Sequence, residues 1–363
     1  MIDTKLILME GLPSTGKSTN SGILFSQLER NGEKVRWVHE VARPHPTLFF
    51  HEAYLEEEEY KNLINLFPET ELILNKIKTT RNSSVVFDLL ELEWNYSEQL
   101  NKNVINELEK SDVWNFAIDR YKKVAIEKWE NFVKKQKLSD EIVILDSSIF
   151  QFQIYTLILA DVPLKELQEF IEALYNIISP LNPSLVYLYR ENTESTIEFL
   201  IKDRGNAFLE RIWERDKDQP YYKNRPNGVD GYKMFLRDYG KYAKLLFDSF
   251  PFQKLPLEIT QGKWEEYVNQ LMKFLDIEYI HPPNGTYPTG KYYNEKLNKY
   301  LEVIDNICHT PDGGKKRLIA KSETEFYILD IPVILRATED SLIIEGEQLC
   351  DQWTTKGTLY KKL

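Results

Sequence analysis

Residues 11–19 read Gly11-Leu12-Pro13-Ser14-Thr15-Gly16-Lys17-Ser18-Thr19, which matches the phosphate-loop pattern Gly-x-x-x-x-Gly-Lys-Ser/Thr. The apolar run at residues 6–9 precedes this stretch and predicts a buried strand. Apolar residues at helical spacing over 23–28 predict a helix after it. A strand before such a loop and a helix after it are the context in which the pattern binds phosphate. The sequence therefore predicts a loop that holds a nucleoside triphosphate.

Each position of the pattern has a physical role. Gly11 and Gly16 allow backbone dihedrals that are closed to other residues, so successive N–H groups can converge on phosphate oxygens. Lys17 is expected to neutralise the β- and γ-phosphates, and the Ser18 hydroxyl to bind Mg²⁺. We therefore expect ATP and Mg²⁺ as cofactors. The expected nucleotide-binding residues are Gly11, Pro13, Ser14, Thr15, Gly16, Lys17, Ser18 and Thr19.

The composition limits the classes of protein to consider. The 363 residues are 42% hydrophobic and 13% aromatic, which is enough for a sizeable core and excludes a disordered chain. The formal net charge of -11 argues against broad, salt-driven binding to nucleic acid. There is no apolar run of roughly 18 residues and no signal-peptide pattern, so we expect a cytoplasmic protein without a membrane partner. The two cysteines, Cys308 and Cys350, are expected to be reduced thiols.

The order of the predicted elements indicates an α/β fold. Strand, loop and helix are followed by a turn at residues 31–32 and a second strand at 34–39, which makes a βαβ unit. Apolar strands separated by helices favour a parallel sheet that is covered on both faces. We therefore expect the three-layer α/β/α parallel sheet of P-loop NTPases. The further strands are predicted at 141–146, 184–189 and 255–260, with helices at 164–178 and 264–275.

Changes in the spacing of apolar residues along the sequence divide the chain into two predicted domains. Residues 1–280 form the α/β domain, in which helix-period segments over about 51–137 predict an all-helical insertion. A cation-rich helical stretch at about 200–228 predicts a lid-like segment of the same domain. After a Pro- and Gly-containing linker, short apolar runs predict a small antiparallel β module at 285–363. These runs lie at 317–320, 325–329, 333–336 and 342–345.

Two carboxylates follow predicted strands. In a doubly wound sheet the ligand lies beyond the carboxyl ends of the strands, and Glu40 and Asp146 stand at two such ends. Asp146 can hold Mg²⁺ together with Ser18, or it can accept a proton from a substrate hydroxyl. Glu40 can be the base instead, or it can be a surface carboxylate that caps the next segment. Both are candidate catalytic residues, and the choice of base stays open.

Three arginines of the lid-like segment are candidates for contact with phosphate. Arg204 and Arg211 are seven residues apart and are expected to share a helix face, as are Arg211 and Arg215, which are four residues apart. Arginines that close over a migrating phosphoryl group neutralise its charge. We assign Arg204 and Arg211 to catalysis, beside Lys17, and Arg215 to nucleotide binding. An exposed, charged helix is the alternative interpretation of all three.

These residues resemble the nucleoside and nucleotide kinases of the thymidylate kinase and deoxynucleoside kinase group. Glu10 and the phosphate-loop stretch are similar to the group's EGxxGxGKS/TT opening. Residues 40–44, Glu-Val-Ala-Arg-Pro, lie where the group carries its short Glu-Pro motif, whose carboxylate is the base in deoxynucleoside kinases. Residues 146–148 are similar in position to its Glu-Arg-Ser or Asp-Arg motif, and residues 202–205 with Glu210 to its lid helix. The resemblance covers residues 4–275 and implies a P-loop kinase.

Departures from the group's pattern leave the phosphoryl acceptor open. Pro13 and Ser14 stand where thymidylate kinases have Asp and Gly, and Ser147 stands where the group has an arginine that steadies phosphate. The predicted insertion is also larger than in the group. These differences do not affect the residues that phosphoryl transfer itself needs, which are a lysine, a hydroxyl, a carboxylate and mobile arginines.

The acceptor pocket has weaker candidates. Arg43, His45 and Arg81 can line a polar pocket, although structural roles explain them equally well. The aromatic residues of the insertion can stack on a ring or pack in a core, and core packing is the commoner use. Those aromatic residues are Trp94, Tyr96 and Trp114.

The sequence as a whole predicts a transferase, an ATP-dependent small-molecule kinase with a nucleoside- or nucleotide-like acceptor favoured. One alternative is a kinase of another metabolite or of an antibiotic. Others are a P-loop ATPase or nucleotide-binding regulator that acts through a protein partner, and an inactive descendant that only binds nucleotide. A GTPase is disfavoured because Asn75-Lys76-Ile77-Lys78 lacks the aspartate of the Asn-Lys-x-Asp motif. Beyond a small-molecule acceptor we expect no nucleic-acid partner, and the oligomeric state is open, with a homodimer as one alternative.

Overall fold

The chain contains strands that form a parallel sheet, a small antiparallel sheet and a closed barrel. The structure is a computed structural model that describes residues 3–363. In chain order the strands are β1 (Leu6–Gly11), β2 (Val35–Val38), β3 (Glu52–Glu56), β4 (Thr79–Thr80), β5 (Ser84–Asp88), β6 (Ile142–Asp146), β7 (Ser184–Tyr189), β8 (Gln253–Glu258), β9 (Gly290–Asn294), β10 (Lys299–Ile304), β11 (Ile307–His309), β12 (Lys315–Ala320), β13 (Glu325–Ile328), β14 (Val333–Ala337), β15 (Ser341–Gly346) and β16 (Leu359–Lys362).

Helices connect the strands up to β8. In chain order they are α1 (Lys17–Arg30), α2 (Glu57–Leu66), α3 (Glu71–Ile77), α4 (Leu89–Glu91), α5 (Lys102–Glu109), α6 (Ile118–Gln136), α7 (Tyr155–Leu159), α8 (Leu164–Ile178), α9 (Thr193–Arg204), α10 (Asn206–Asp216), α11 (Gly228–Ser249) and α12 (Trp264–Phe274). Shorter 3₁₀ or π-helical segments are Pro68–Thr70, Leu92–Tyr96, Val113–Asn115, Ile149–Ile154, Ser179–Leu181, Pro220–Asn224 and Gln352–Thr354.

The chain forms two compact units. The first unit contains the residues up to Arg43 and those from Gln136 onward, and it holds both the parallel sheet and the C-terminal strands. The second unit is Pro44–Lys135, which lies between β2 and β6 in the sequence.

A parallel sheet with the strand order β2-β6-β1-β7-β8 is the centre of the first unit. Its central strand β1 is buried along its whole length, as the apolar run in the sequence predicts. Met9 is in register with Asp146 of β6, and Val38 of β2 is in register with Leu145. The carboxyl ends of β1, β2 and β6 therefore meet at one edge of the sheet. The prediction of a parallel sheet with flanking helices is confirmed.

The helix α1 joins β1 to β2 and packs on the sheet. Leu24 and Leu28 lie on its sheet-facing side, in a core cluster with Trp37 of β2 and with Leu271 of α12. This spacing of apolar residues is the helical period that the sequence displays. Because the core holds α1 against the sheet, it also fixes the loop before it.

The C-terminal strands form a closed antiparallel barrel with the order β10-β11-β12-β13-β14-β15-β16-β9. Alternate residues fill its interior, among them Leu301, Leu335 and Tyr360, which are fully buried. Closure pairs β9 with both β10 and β16, so the barrel has no open strand edge. The predicted antiparallel β module is confirmed, and its four predicted runs coincide with β12–β15 to within two residues.

The second unit is not all-helical, so that prediction is wrong. Strands β3, β5 and β4 form a small antiparallel sheet, in which Ala53 pairs with Phe87. The run Val85-Val86-Phe87 is β-branched and aromatic, and it suits a half-buried pleated surface. Its pairing partner lies about thirty residues earlier in the sequence, and local periodicity does not detect such a partner.

The described residues, 3–363, bear on the expectations for membrane-spanning helices and for the two cysteines. No helix in that range is long and apolar enough to cross a bilayer. Cys308 is buried and Cys350 is partly buried.

Gly11→Ala tests how tightly β1 constrains the loop that follows it. Gly11 has φ +155°, and a Cβ here would clash with the carbonyl oxygen of Leu188 and lie 2.7 Å from Thr15 Oγ1. We expect a loss of about 3 kcal/mol of unfolding free energy, measured by urea denaturation. Gly32→Ala is the control, because Gly32 has φ +85° but open space around it, and it should cost about 1 kcal/mol. Equal losses in the two variants would contradict the steric argument.

Candidate functional site

The β1–α1 loop, residues 11–16, has an unusual backbone. Ser14 and Gly16 adopt left-handed conformations, with φ +58° and +82°. Gly16 is the N-cap of α1, and no side chain caps this helix end within the described residues. The first N–H groups of α1, together with the positive end of its dipole, are therefore suited to hold an anion.

Lys17, the first residue of α1, is a buried cation. Its Nζ donates a hydrogen bond to the carbonyl oxygen of Leu12 at 3.0 Å, so the side chain folds back over the loop. Burial lowers the pKa of Lys17, and nearby carboxylates act in the opposite direction. In order of effect these are Asp146, Glu40 and Glu10. The structure thus brings together Lys17 and both carboxylates that the sequence singled out.

Asp146 is fully buried beside the start of α1. Its Oδ1 accepts a hydrogen bond from Ser147 Oγ at 2.9 Å, whereas its Oδ2 has no hydrogen-bond partner among residues 3–363. Burial raises the pKa of Asp146, and His39 is the main opposing influence. A buried carboxylate oxygen without a partner is costly unless a ligand satisfies it.

His39 links the predicted metal-binding residues, and the sequence analysis did not single it out. Its Nε2 lies 3.4 Å from Ser18 Oγ and 4.0 Å from Asp146 Oδ2. The only signal in the sequence was its position, one residue before Glu40, at the carboxyl end of β2. Ser18 and Asp146 supply the hydroxyl and carboxylate oxygens that Mg²⁺ takes from proteins, so the donor set fits this ion. No group of three or more His, Cys, Asp or Glu side chains suited to a metal occurs in residues 3–363.

Glu40 is held by Gln151, which belongs to the π-helical turn after β6. Gln151 Nε2 donates a hydrogen bond to Glu40 Oε2. The ionised carboxylate only accepts, so this contact fixes the orientation of the amide. Gln151 Oε1 is then directed elsewhere, and it is buried without a hydrogen-bond partner among the described residues. Glu40 and Gln151 therefore present acceptor oxygens that call for a donor.

Glu10 is a third carboxylate of the site, and it is fully buried within β1. It accepts hydrogen bonds from the backbone N–H of Ile149 at 2.6 Å and from Ser148 Oγ at 3.3 Å. Burial raises the pKa of Glu10 to about 7, although hydrogen bonds from the backbone of residues 149–151 and the charge of Lys17 act against the shift. Glu10 thus ties the end of β1 to the turn that carries Gln151.

Arg204 contacts the β1–α1 loop. Its Nε donates to Ser14 Oγ at 3.1 Å, and Ser14 donates in turn to Asp203 Oδ2 at 2.9 Å. The expectation that Arg204 and Arg211 share one helix is wrong, because Gly205, with φ +77°, separates α9 from α10. Both guanidinium groups nevertheless lie over the ring of Phe208, at 4.9 Å and 5.4 Å from its centroid.

Arg215 is engaged away from the loop residues named above. Its Nε and Nη2 bind the two carboxylate oxygens of Asp216, each at 2.7 Å, and Nη2 also donates to Tyr155 at 3.0 Å. The hydrogen bonds to Asp216 raise the pKa of Arg215 further above its ordinary value. The structure gives this arginine a role in packing α10 on α7, and its assignment to nucleotide binding stays a prediction.

The candidate pocket residues have local partners. Arg43 is buried at the end of the first unit, where its backbone N–H donates to Gln348. In the second unit, His45 Nδ1 accepts from the backbone N–H groups of Thr47 and Leu48, which is a turn-forming role. Also in that unit, Arg81 and the buried Lys128 both bind Glu52, and burial lowers the pKa of Lys128 to about 8.

Of the candidate aromatic residues of the second unit, Tyr96 contacts an apolar core cluster, whereas Trp114 is 40% exposed. Tyr96 packs against the apolar cluster around Leu92 and Val104. Trp114 stacks on Tyr121, with ring centroids 6.2 Å apart. Trp94 is partly buried. These contacts favour the packing role over stacking on a ligand.

Comparison with known proteins gives no independent assignment. No protein-family model matches the sequence, and no curated protein matches it. The function is therefore argued from the side chains of this chain.

Glu10→Gln should change the pH dependence of stability. The folded pKa, about 7, exceeds the ordinary value of 4.5, so the stabilising contribution of the protonated carboxyl is complete below pH 4.5 and is lost as the pH rises to 7. Relative to the variant, the wild type should lose about 3 kcal/mol of unfolding free energy between pH 4.5 and 8. Urea denaturation at both pH values measures this. Glu339→Gln, at an exposed position, is the control, and equal pH profiles for wild type and Glu10→Gln would refute the buried-carboxyl account.

Proposed function

We propose that this protein is an ATP-dependent kinase that transfers the γ-phosphoryl group to a hydroxyl of a small molecule. One observation carries the proposal. The buried Lys17, the Ser18 hydroxyl and the partnerless oxygen of Asp146 lie together at the uncapped start of α1. Such a convergence of backbone N–H groups, a cation and metal-binding oxygens is the arrangement that phosphoryl transfer requires.

In the proposed mechanism, the β1–α1 loop and Lys17 bind the phosphates. The first N–H groups of α1 have no side-chain cap, and they donate to phosphate oxygens. Lys17 exchanges its hydrogen bond with the Leu12 carbonyl oxygen for one with a phosphate oxygen. Because the site is buried, both interactions are stronger than they would be in water.

Ser18 and Asp146 are the residues proposed to hold Mg²⁺, which would neutralise charge on the phosphates. His39 Nε2 is within hydrogen-bond distance of Ser18 Oγ, so it can orient that hydroxyl, and it lies 4.0 Å from Asp146 Oδ2. Because Asp146 is proposed to bind the metal, we propose Glu40 as the base.

Glu40 is proposed to accept the proton of the attacking hydroxyl. In that step the substrate O–H bond breaks, its oxygen bonds to the γ-phosphorus, and the bond to the β-phosphate oxygen breaks to release ADP. Glu40 and Gln151 Oε1 offer acceptors, and a hydroxyl supplies a donor for them. A phosphate monoester dianion has only acceptors, so this pair favours a hydroxyl over a phosphate as the receiving group. A nucleoside-like acceptor is consistent with this preference.

Arg204 and Arg211 are proposed to stabilise the migrating phosphoryl group. Arg204 already contacts the loop through Ser14, and Arg211 is exposed and lies over the same Phe208 ring. Gly205 between α9 and α10 provides a point at which the backbone can bend. A small movement of α10 would bring the second guanidinium toward the phosphates.

Lys17→Ala tests the proposed function. The variant should lose binding of Mg·ATP and ADP formation, because no other cation replaces Nζ in the loop, while its unfolding stays cooperative. Lys165→Ala removes an exposed lysine of α8 and serves as the control. ADP release is followed with and without a panel of nucleosides, polyols and aminoglycosides, together with thermal unfolding. Undiminished turnover in Lys17→Ala would refute the proposal, and ADP release that no acceptor stimulates would favour an ATPase regulator.

Glu40→Gln and Asp146→Asn separate the base from the metal-binding carboxylate. With an acceptor found in that panel, Glu40→Gln should lower kcat by about 10²- to 10⁴-fold and leave the Mg²⁺ requirement unchanged. Glutamine at this position still accepts the hydrogen bond of Gln151. Asp146→Asn should instead raise the Mg²⁺ concentration needed for half-maximal rate. Steady-state kinetics over a Mg²⁺ titration measure both, and the reverse pattern would exchange the two roles.

A further inference from the structure

The C-terminal barrel contacts two of the segments that carry proposed active-site residues, α1 and the residues after β2, and it lies in the same unit as they do. We propose that the barrel positions the phosphate-binding end of α1, with Asp330 as the positioning residue. The inference rests on the proposed function, because the nucleotide site is what the barrel holds in shape.

The first contact joins Asp330 to the start of α1. Thr19 Oγ1 donates to Asp330 Oδ1 at 2.5 Å, and Thr19 follows Ser18 in the first turn of the helix. Asp330 lies in the turn between β13 and β14 with φ +79°, a conformation that costs a non-glycine residue energy. Backbone strain of this kind persists only where the surrounding structure holds it, and it is frequent at functional sites.

The barrel also holds α1 further along. The side chain of Leu329 lies beside Gly22, so close that a Cβ on Gly22 would be 3.3 Å from Leu329 Cδ1. Near the end of α1, Glu29 accepts hydrogen bonds from Lys321 and from the hydroxyl of Tyr327. The helix residues involved are spaced three, seven and ten positions apart, so they form one face of α1.

A second set of contacts holds the segment that follows β2. Ala42 forms a β-bridge with Leu349, next to which the N–H of Arg43 donates to Gln348 at 2.9 Å. The N–H of Cys350 donates to the carbonyl oxygen of Val41 at 3.1 Å. These backbone bonds begin one residue after Glu40. The barrel therefore holds both the proposed base and the proposed phosphate site, so their positions relative to each other depend on it.

The positions of the contacts argue for a role beyond stability. A stabilising module could be attached anywhere on the outer face of α1, but the Asp330 hydrogen bond lies one residue from the proposed Mg²⁺-binding hydroxyl. Displacements of about 1 Å at such sites can lower rates a hundredfold. A loosened first turn of α1 should weaken nucleotide binding more than it weakens folding.

The test compares two ends of the same interface. Asp330→Gly removes the carboxylate and relieves the backbone strain, whereas Asp330→Asn keeps an acceptor oxygen for Thr19. Tyr327→Phe is the matched control, since it removes one barrel hydrogen bond to α1 at the end remote from the loop. The full-length proteins are titrated with Mg·ADP by calorimetry, and thermal unfolding is recorded for each.

We expect Asp330→Gly to raise the Kd for Mg·ADP by about five- to tenfold, with recovery in Asp330→Asn and no change in Tyr327→Phe. Thr19→Val should show the same loss, and the double variant Thr19→Val with Asp330→Gly should show no further loss, because both changes remove one hydrogen bond. A Kd in Asp330→Gly equal to that of Tyr327→Phe would overturn the positioning role alone. A wild-type chain that does not bind Mg·ADP would overturn the proposed function, and the positioning role with it.

Discussion

The buried charge of Lys17 is the constraint on which the rest of the site depends. An ammonium group removed from water costs several kcal/mol unless carboxylates and hydrogen-bond acceptors surround it. Here the three nearby carboxylates come from three different strand ends, since Glu10 belongs to β1, Glu40 follows β2 and Asp146 ends β6. Only the neighbouring order β2-β6-β1 brings these ends together. The strand order therefore places the carboxylates that allow the charged Lys17 side chain to be buried.

The short segment after β6 completes this arrangement, because it supplies a partner to each carboxylate. Ser147 donates to Asp146, the backbone N–H of Ile149 donates to Glu10, and Gln151 donates to Glu40. Ser147 itself adopts φ +67°, which turns the chain sharply at the end of the strand. The Ser147 hydroxyl thereby orients the carboxylate that we propose to bind Mg²⁺. Hydrogen bonds from this one segment thus hold the three carboxylates in place relative to one another.

Much of this architecture could be predicted from local sequence, for a physical reason. The pattern of residues 11–19 and the apolar runs of β1 and β6 carry their own structural signal, because loop geometry and strand burial depend on neighbours in the chain. His39 and Gln151 were missed because their roles arise only when β2 and β6 lie side by side. The β3–β5 pairing was missed for the same reason. The sequence shows a glycine at position 205, but whether Gly205 bends a helix or ends it depends on tertiary contacts. What local sequence could not supply was contact between distant segments.

The barrel extends this dependence on distant contacts to the β1–α1 loop, which we propose to bind phosphate. An ordinary helix on a parallel sheet has one face in the core and one in water, so its first turn can move at little cost. In this chain α1 packs on the sheet through Leu24 and Leu28 and on the barrel from Thr19 to Glu29. A helix held on two sides cannot shift without disturbing two packed surfaces, and the closed barrel has no free edge along which to slip. The rigidity that the proposed phosphate binding demands of a short loop is thus supplied by residues about three hundred positions away in the sequence.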